Sequence, residues 1–146
     1  IFVYEQSEGT SASALLESFK TTERAVLLGT RSFWEGVDVP GDALSVVVIT
    51  KLPFEVPSDP IIAARSELYE DSFHEYYLPE AILKFRQGFG RLIRTTSDRG
   101  VVAILDRRVL TKQYGRLFLE SLPPCTARQG AVAGLAKMAG QWLGTL

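Results

Sequence analysis

Three short, almost unbroken apolar runs constrain this chain more than any other feature: Ala25 to Gly29, Ser45 to Thr50 and Val101 to Leu105. Each has the length of a strand and is too short for an independent helix. A run that is apolar on both sides of the pleat is typical of a strand buried on both faces of a parallel sheet. Phe2-Val3-Tyr4 reads as a further short strand. Helical patterns lie between and after these runs. Ser11 to Phe19 has Leu15, Leu16 and Phe19 as its apolar stripe, with Thr10 or Ser11 as cap. Ile61 to Tyr69, Leu78 to Arg94 and Lys112 to Ser121 follow. A last helix is expected over Ala127 to Leu143, weakened by Gly130, Gly134 and Gly140. The alternation predicts an α/β fold with a mainly parallel sheet flanked by helices. Pro123-Pro124 is the best boundary, separating residues 1–122 from a helical C-terminal extension, 123–146.

The stretch Gln87-Gly88-Phe89-Gly90-Arg91-Leu92-Ile93-Arg94 carries the clearest chemistry. At about 100° per residue, Gln87, Arg91 and Arg94 fall within roughly 60° of one another on a helix. Ile82, Phe85, Phe89 and Leu92 lie on the other side, so the helix has an apolar back and a cationic front. Gly90 costs about 1 kcal/mol relative to alanine inside a helix, which points to close approach of a backbone or ligand there. An amide and two guanidiniums beside a glycine suit a polyanion such as the phosphates of a nucleotide. The plainer reading of such arginines is a solvated helix face.

Charge distribution supports an anion surface. Residues 84–116 hold nine Lys or Arg against two acids, whereas residues 1–83 hold five basic and fourteen acidic residues. The formal net charge is only -1. Cys125 is the single cysteine, which excludes an internal disulfide or an all-cysteine metal site, and a reducing, intracellular (cytoplasmic) setting fits. No apolar run approaches a membrane span, and no basic region precedes the apolar start, so neither membrane insertion nor a signal peptide is expected. The start lacks Met, as expected of a piece of a longer chain.

The segment Thr30-Arg31-Ser32-Phe33-Trp34-Glu35-Gly36-Val37-Asp38-Val39-Pro40-Gly41 follows the first long apolar run. Loops at the carboxyl ends of parallel strands are where α/β sheets place ligand contacts. Thr30 and Ser32 offer hydroxyls for phosphates, and the Asp38 carboxylate suits a ribose hydroxyl. Phe33 and Trp34 fit core or loop anchors better than base-stacking platforms.

These motifs together resemble superfamily 2 helicases. Gln87, Gly90, Arg91 and Arg94 match the Q-x-x-G-R-x-x-R pattern of motif VI, and Thr30, Gly36 and Asp38 match motif V. The string Ser32 to Gly41 resembles the DinG-type, XPD-like branch specifically. Lys51-Leu52-Pro53-Phe54 with Pro57 and Pro60, Asp98-Arg99-Gly100, and Asp106-Arg107-Arg108 follow in order, so the likeness covers roughly residues 25–122. The resemblance implies a RecA-like lobe of the P-loop NTPase type, the second lobe of an ATP-dependent DNA helicase, truncated at its N-terminal side. It implies that Arg91 and Arg94 stabilise the γ-phosphoryl group of ATP across a cleft and that Gln87 orients that cleft, with Gly90 beside them. Gly36 and Asp38 would meet the nucleotide, and Glu35 would orient the loop or contact the cleft. Thr30, Arg31 and Ser32 would grip the backbone of single-stranded DNA.

The chain has no G-x-x-x-x-G-K-[ST] loop and no D-E-x-H box. The ATP site must then be completed by a first RecA-like lobe of the same parent polypeptide, and any Mg²⁺ or iron–sulfur cluster would be held outside this chain. The chain is expected to be inactive alone and to hold no metal. The competing reading is a non-catalytic RecA-like module that binds nucleic acid or protein. His74 and Cys125 read as structural positions, and Asp106 with Arg108 as either an ion pair bracing the motif VI helix or a ligand contact. Lys112 and Arg116 are DNA-backbone or solvated positions in equal measure.

Overall fold

The computed structural model describes residues 1–6, 10–30, 33, 39, 43–92 and 98–145. Its strands are β1 (Phe2–Glu5), β2 (Ala25–Leu28), β3 (Val46–Ile49) and β4 (Val101–Ile104). Every pairing is parallel, as the alternating pattern requires. β1 pairs with β2 in the register Phe2↔Ala25 to Glu5↔Leu28, with helix α1 (Ala12–Thr21) as the crossover. β3 pairs with β4 in the register Val46↔Val101 to Ile49↔Ile104. Among the described residues these are two separate two-stranded ladders.

The long connection from β3 to β4 contains α2 (Pro60–Ser66), a π-helical turn (Phe73–Tyr77) and α3 (Leu78–Gly90). Asp59 caps α2, its carboxylate accepting from the amides of Ile61 at 2.9 Å and Ile62 at 3.3 Å, with Pro60 in the first turn. After β4 come α4 (Arg108–Thr111), α5 (Gly115–Glu120), a 3-10 turn (Val132–Gly134) and α6 (Leu135–Leu143).

The main core lies between the β3–β4 ladder, α3 and α5. Ile49, Leu52, Leu78, Ala81, Phe85, Val109 and Phe118 form it. Phe85 and Phe118 are fully buried and meet edge to face, ring centroids 5.3 Å apart at 88°. A smaller core joins Leu16 and Phe19 of α1 to Val39, with Tyr4, Ala25 and Leu27 packed against it.

Several boundaries differ from the sequence expectation. The first long apolar run is covered on one face only: Val26 is 42% and Leu28 49% exposed, while Ala25 and Leu27 face α1. A continuous apolar run records no distinction between a covered face and one awaiting cover. The helix expected over Lys112 to Ser121 breaks at Lys112, whose backbone is extended. Gly115 sits where a Cβ would strike the carbonyl oxygens of Arg108 and Val109, so α5 can pack against the end of α4 only through a bare glycine. The helix expected from Ala127 starts only at Leu135, after Gly130 and Gly134. It ends at Gly144, whose φ of 74° is the left-handed cap that lets Thr145 N–H donate to Gly140 O at 2.9 Å.

Candidate nucleotide-facing site

α3 is built as the sequence expects, but its axis is rotated about the expected stripe. The buried positions are Leu78, Ala81, Phe85 and Gly88, continued by Leu92 beyond the helix end. Ile82 and Phe89 are only half-buried. The glycine that faces the packed side of this helix is therefore Gly88. Gly90 is exposed, and a Cβ added there meets nothing within 4 Å. The helix closes at Gly90 through tighter bonds, Arg91 N–H to Gly88 O at 3.3 Å and Leu92 N–H to Phe89 O at 3.1 Å. Two glycines in the last turn weaken the helix enough for this earlier stop.

The rotation sorts the front residues. Gln87 and Gly90 are exposed and share one open groove of about 610 Å³ with Arg86, Leu83 and the segment Ser121 to Pro123. Arg91 lies nearer the buried stripe and is half-buried, its Nε removed from solvent. Arg86 was missed by the motif reading because it stands about 100° from Gln87 on the wheel. Only the fold of residues 121–123 against α3 brings it into the same groove. Arg94 lies outside the described residues.

The second group of expected residues is only partly described. Thr30 follows the end of β2, exposed, and its hydroxyl donates to the side-chain carbonyl of Gln6 at 3.1 Å. Gln6 follows β1, so the hydroxyl is placed at the carboxyl edge of the ladder. Phe33 is buried and folds back so tightly that a Cβ on Gly29 would come 3.0 Å from the Phe33 Cβ. Arg31, Ser32, Trp34, Glu35, Gly36 and Asp38 lie outside the described residues. No described contact joins Thr30 to the α3 groove.

Two ion pairs hold the loop after β3. Asp106, at the end of β4, receives the Arg108 guanidinium as a fork, Nη2 to Oδ2 at 2.6 Å and Nε to Oδ1 at 3.0 Å. The same carboxylate accepts the Leu52 amide at 2.8 Å and the Arg108 amide at 3.0 Å. These donors, the Arg108 side chain foremost, hold the Asp106 carboxyl well below the usual carboxylate range. The fork in turn raises the Arg108 pKa. Arg108 also covers the face of Phe54, 5.3 Å from its ring centroid. The ion pair expected from the sequence is present, but the element it braces directly is the Leu52 loop rather than the motif VI helix, because the register of β3 with β4 sets Asp106 beside Leu52. The brace on α3 is Lys84, which pairs with Glu55, both nearly buried with side chains 12% and 5% exposed. An acid inside the apolar run Leu52-Pro53-Phe54-Glu55-Val56-Pro57 was the sequence signal for it.

His74 pairs with Asp71 on the surface, Nδ1 to Oδ2 at 2.8 Å. The His74 amide and ring lower the Asp71 pKa. Among the described residues no His, Cys, Asp and Glu gather as metal ligands, and no helix is long and apolar enough to cross a membrane.

Residues 1–125 match the sequence profile described as the helicase C-terminal domain. Among curated proteins, the 3'-5' exonuclease DinG of Bacillus subtilis is 52% identical over 119 residues, covering 79% of this chain and 13% of that protein. The ATP-dependent DNA helicase YoaA of Escherichia coli is 50% identical over 119 residues, covering 79% of this chain and 19% of that protein. The ATP-dependent helicase DinG of Mycobacterium tuberculosis H37Rv is 44% identical over 118 residues, covering 78% and 18%. The chain thus spans under a fifth of the length of these relatives.

Proposed function

We propose, for a chain that belongs to the helicase C-terminal domain family and is a RecA-like lobe of the DinG type, that it supplies one half of an ATP-driven DNA motor. The ATP dependence is that named for the relatives YoaA and DinG, and the DNA substrate is that named for YoaA. The nuclease named for the Bacillus relative is not carried over, because this chain spans 13% of that protein. Residues 1–122 are the lobe, and 123–146 are an extension docked on it.

The observation that supports this reading best is the division of α3. One side packs into the core on Ala81, Phe85 and Gly88, and the other offers Gln87 and Gly90 to an open groove that Arg86 also lines, with half-buried Arg91 directly after the helix. Open space at Gly90 leaves its backbone accessible to a surface approaching from outside the chain. These residues fit the phosphate end of a nucleotide held by a partner lobe: an amide donor, guanidiniums and bare backbone.

ATP supplies a phosphoryl group whose oxygens change charge during transfer to water. Arg91 and Arg94 would donate planar hydrogen bonds to those oxygens and stabilise the transition state more than the bound reactant. Gln87 would orient the cleft through its amide. Gly36, Asp38 and Glu35 would line the nucleotide side of the other strand-end loop. Thr30, Arg31 and Ser32 would hold single-stranded DNA by its phosphates, without reading sequence. Closure of the first lobe on this one would shift that grip with each turnover. The phosphate-binding loop, Mg²⁺ and any iron–sulfur cluster belong to the first lobe, so this chain alone should not hydrolyse ATP.

The test is steady-state ATPase of the parent enzyme with saturating single-stranded DNA. Arg94→Ala and Arg91→Ala should each lower kcat by at least about two orders of magnitude, toward the roughly 10³–10⁵ effect of a catalytic arginine. DNA affinity should change little, and Arg94→Lys should not rescue, because an ammonium cannot form the planar fork. Near-normal turnover in both alanine variants would leave a DNA- or protein-binding module as the better reading.

A further inference from the structure

We propose that Trp142, on the C-terminal helix α6, is a positioning residue for the polyanion-facing side of α3, acting through Arg99, Gly100 and Leu92. The inference rests on the reading of α3 given above. Trp142 lies beyond the residues 1–125 that match the helicase C-terminal domain.

The path is continuous among the described residues. α6 packs against β4. Its last turn grips Arg99 at two points. The guanidinium lies over the indole, 5.3 Å from the ring centroid, and Arg99 Nη2 donates to the Trp142 carbonyl at 3.2 Å. That carbonyl belongs to the final turn, where helix carbonyls lack intrahelical donors and the helix dipole favours a cation. The left-handed cap at Gly144 stops the helix there and leaves the carbonyl for the guanidinium.

Arg99 is bonded to Gly100, and Gly100 abuts Leu92. A Cβ at Gly100 would stand 2.5 Å from Leu92 Cγ, so the two backbones are held together by a buried leucine side chain seated on bare glycine. Leu92 is 5% exposed and directly follows Arg91. The end of α3 has already loosened into i→i+3 bonds at Arg91 and Leu92, so its own hydrogen bonds do not define the Arg91 geometry strongly. The seat of Leu92 on Gly100 adds a hold on this turn, and the α6 grip on Arg99 holds that seat. Loss of the grip should let the last turn of α3 shift by the small distances to which transition-state contacts are most sensitive.

The experiment uses the longest native polypeptide that contains this lobe. Two measurements are made: DNA-stimulated ATPase, and hydrogen exchange of the amides of Arg91 and Leu92. Trp142→Leu, which keeps apolar cover but loses the ring face, should lower kcat about threefold to thirtyfold, the scale of one cation–π contact. KM for ATP should stay within about twofold, since a displaced arginine is missed mainly in the transition state. Exchange at Arg91 and Leu92 should quicken, and Trp142→Phe should restore most of both. Arg99→Ala, which loses both the ring face and the bond to the Trp142 carbonyl, should cost at least as much as Trp142→Leu, and the double variant should be no worse than Arg99→Ala alone. Unchanged exchange and turnover in Trp142→Leu, a Phe variant as poor as Leu, or additive losses in the double variant would each overturn the proposal. Arg91→Ala and Arg94→Ala run alongside. If they are inactive while the Trp142 variants are normal, the positioning role alone fails. If they remain active, the polyanion reading of α3 fails, and the exchange arm still decides the mechanical link.

Discussion

Asp106 is the most informative single position for stability. Its carboxylate accepts the Leu52 amide, the Arg108 amide and the Arg108 guanidinium at once. Asp106→Ala leaves all three donor groups without this acceptor. Leu52 is 4% exposed, so its amide would be left buried without its acceptor, at a cost of about 1–3 kcal/mol. Loss of the Arg108 amide bond at the start of α4 costs a further ~1 kcal/mol, as for a helix cap. The guanidinium is 40% exposed, so solvent screening limits that ion pair to about 0.5 kcal/mol. The expected total is about 2.5–4.5 kcal/mol. Asp106→Asn keeps one acceptor oxygen and should cost about half as much.

The pH dependence has a definite sign. The folded-state pKa of Asp106 is depressed, so its contribution is fully present above the ordinary unfolded value of about 3.9 and is lost as pH falls below it toward the folded value. Urea unfolding at pH 7 and across the acid range measures both effects. Wild type should lose its advantage over Asp106→Asn only below about pH 4. Equal cost for Ala and Asn at pH 7, or an advantage that persists unchanged well below pH 4, would refute the assignment of this carboxylate as the ionised latch of the Leu52 loop.

Phe118→Ala should destabilise by about 3–5 kcal/mol in the same unfolding assay, because the ring is fully buried between Phe85 and Phe54. Gly90→Ala should leave stability unchanged or up to about 1 kcal/mol higher, since the added Cβ meets open space at a helical position. The same substitution should impair DNA-stimulated ATPase of the parent enzyme, a split between stability and turnover that an ordinary surface position would not produce. Binding of single-stranded oligonucleotides by the parent should be sequence-tolerant and weaken steeply between two salt concentrations in fluorescence anisotropy.

The fold class was legible in the chain because it is written locally. Each strand is a short apolar run, and each crossover helix repeats its stripe within its own residues, so burial leaves a periodic trace without knowledge of the partner. The likeness at Gln87 to Arg94 was local in the same sense: eight consecutive residues whose spacing survives any packing. The details of the site were not local. The helical wheel placed Phe89 in the core, whereas packing turned the helix so that Gly88 is buried and Phe89 and Arg91 are half-buried. A glycine in a sequence signals a bare backbone but not which side approaches it.

The long-range pairs belonged to tertiary structure alone. Asp106 meets Leu52 across 54 positions, Lys84 meets Glu55 across 29, and Arg99 meets Trp142 across 43. Charge pattern along the chain could mark these side chains as available but could not pair them. A charged group is stabilised by whichever opposite charge and donors the closed backbone brings within a few ångströms, and that choice is made by strand register and helix rotation, neither of which has a local signature.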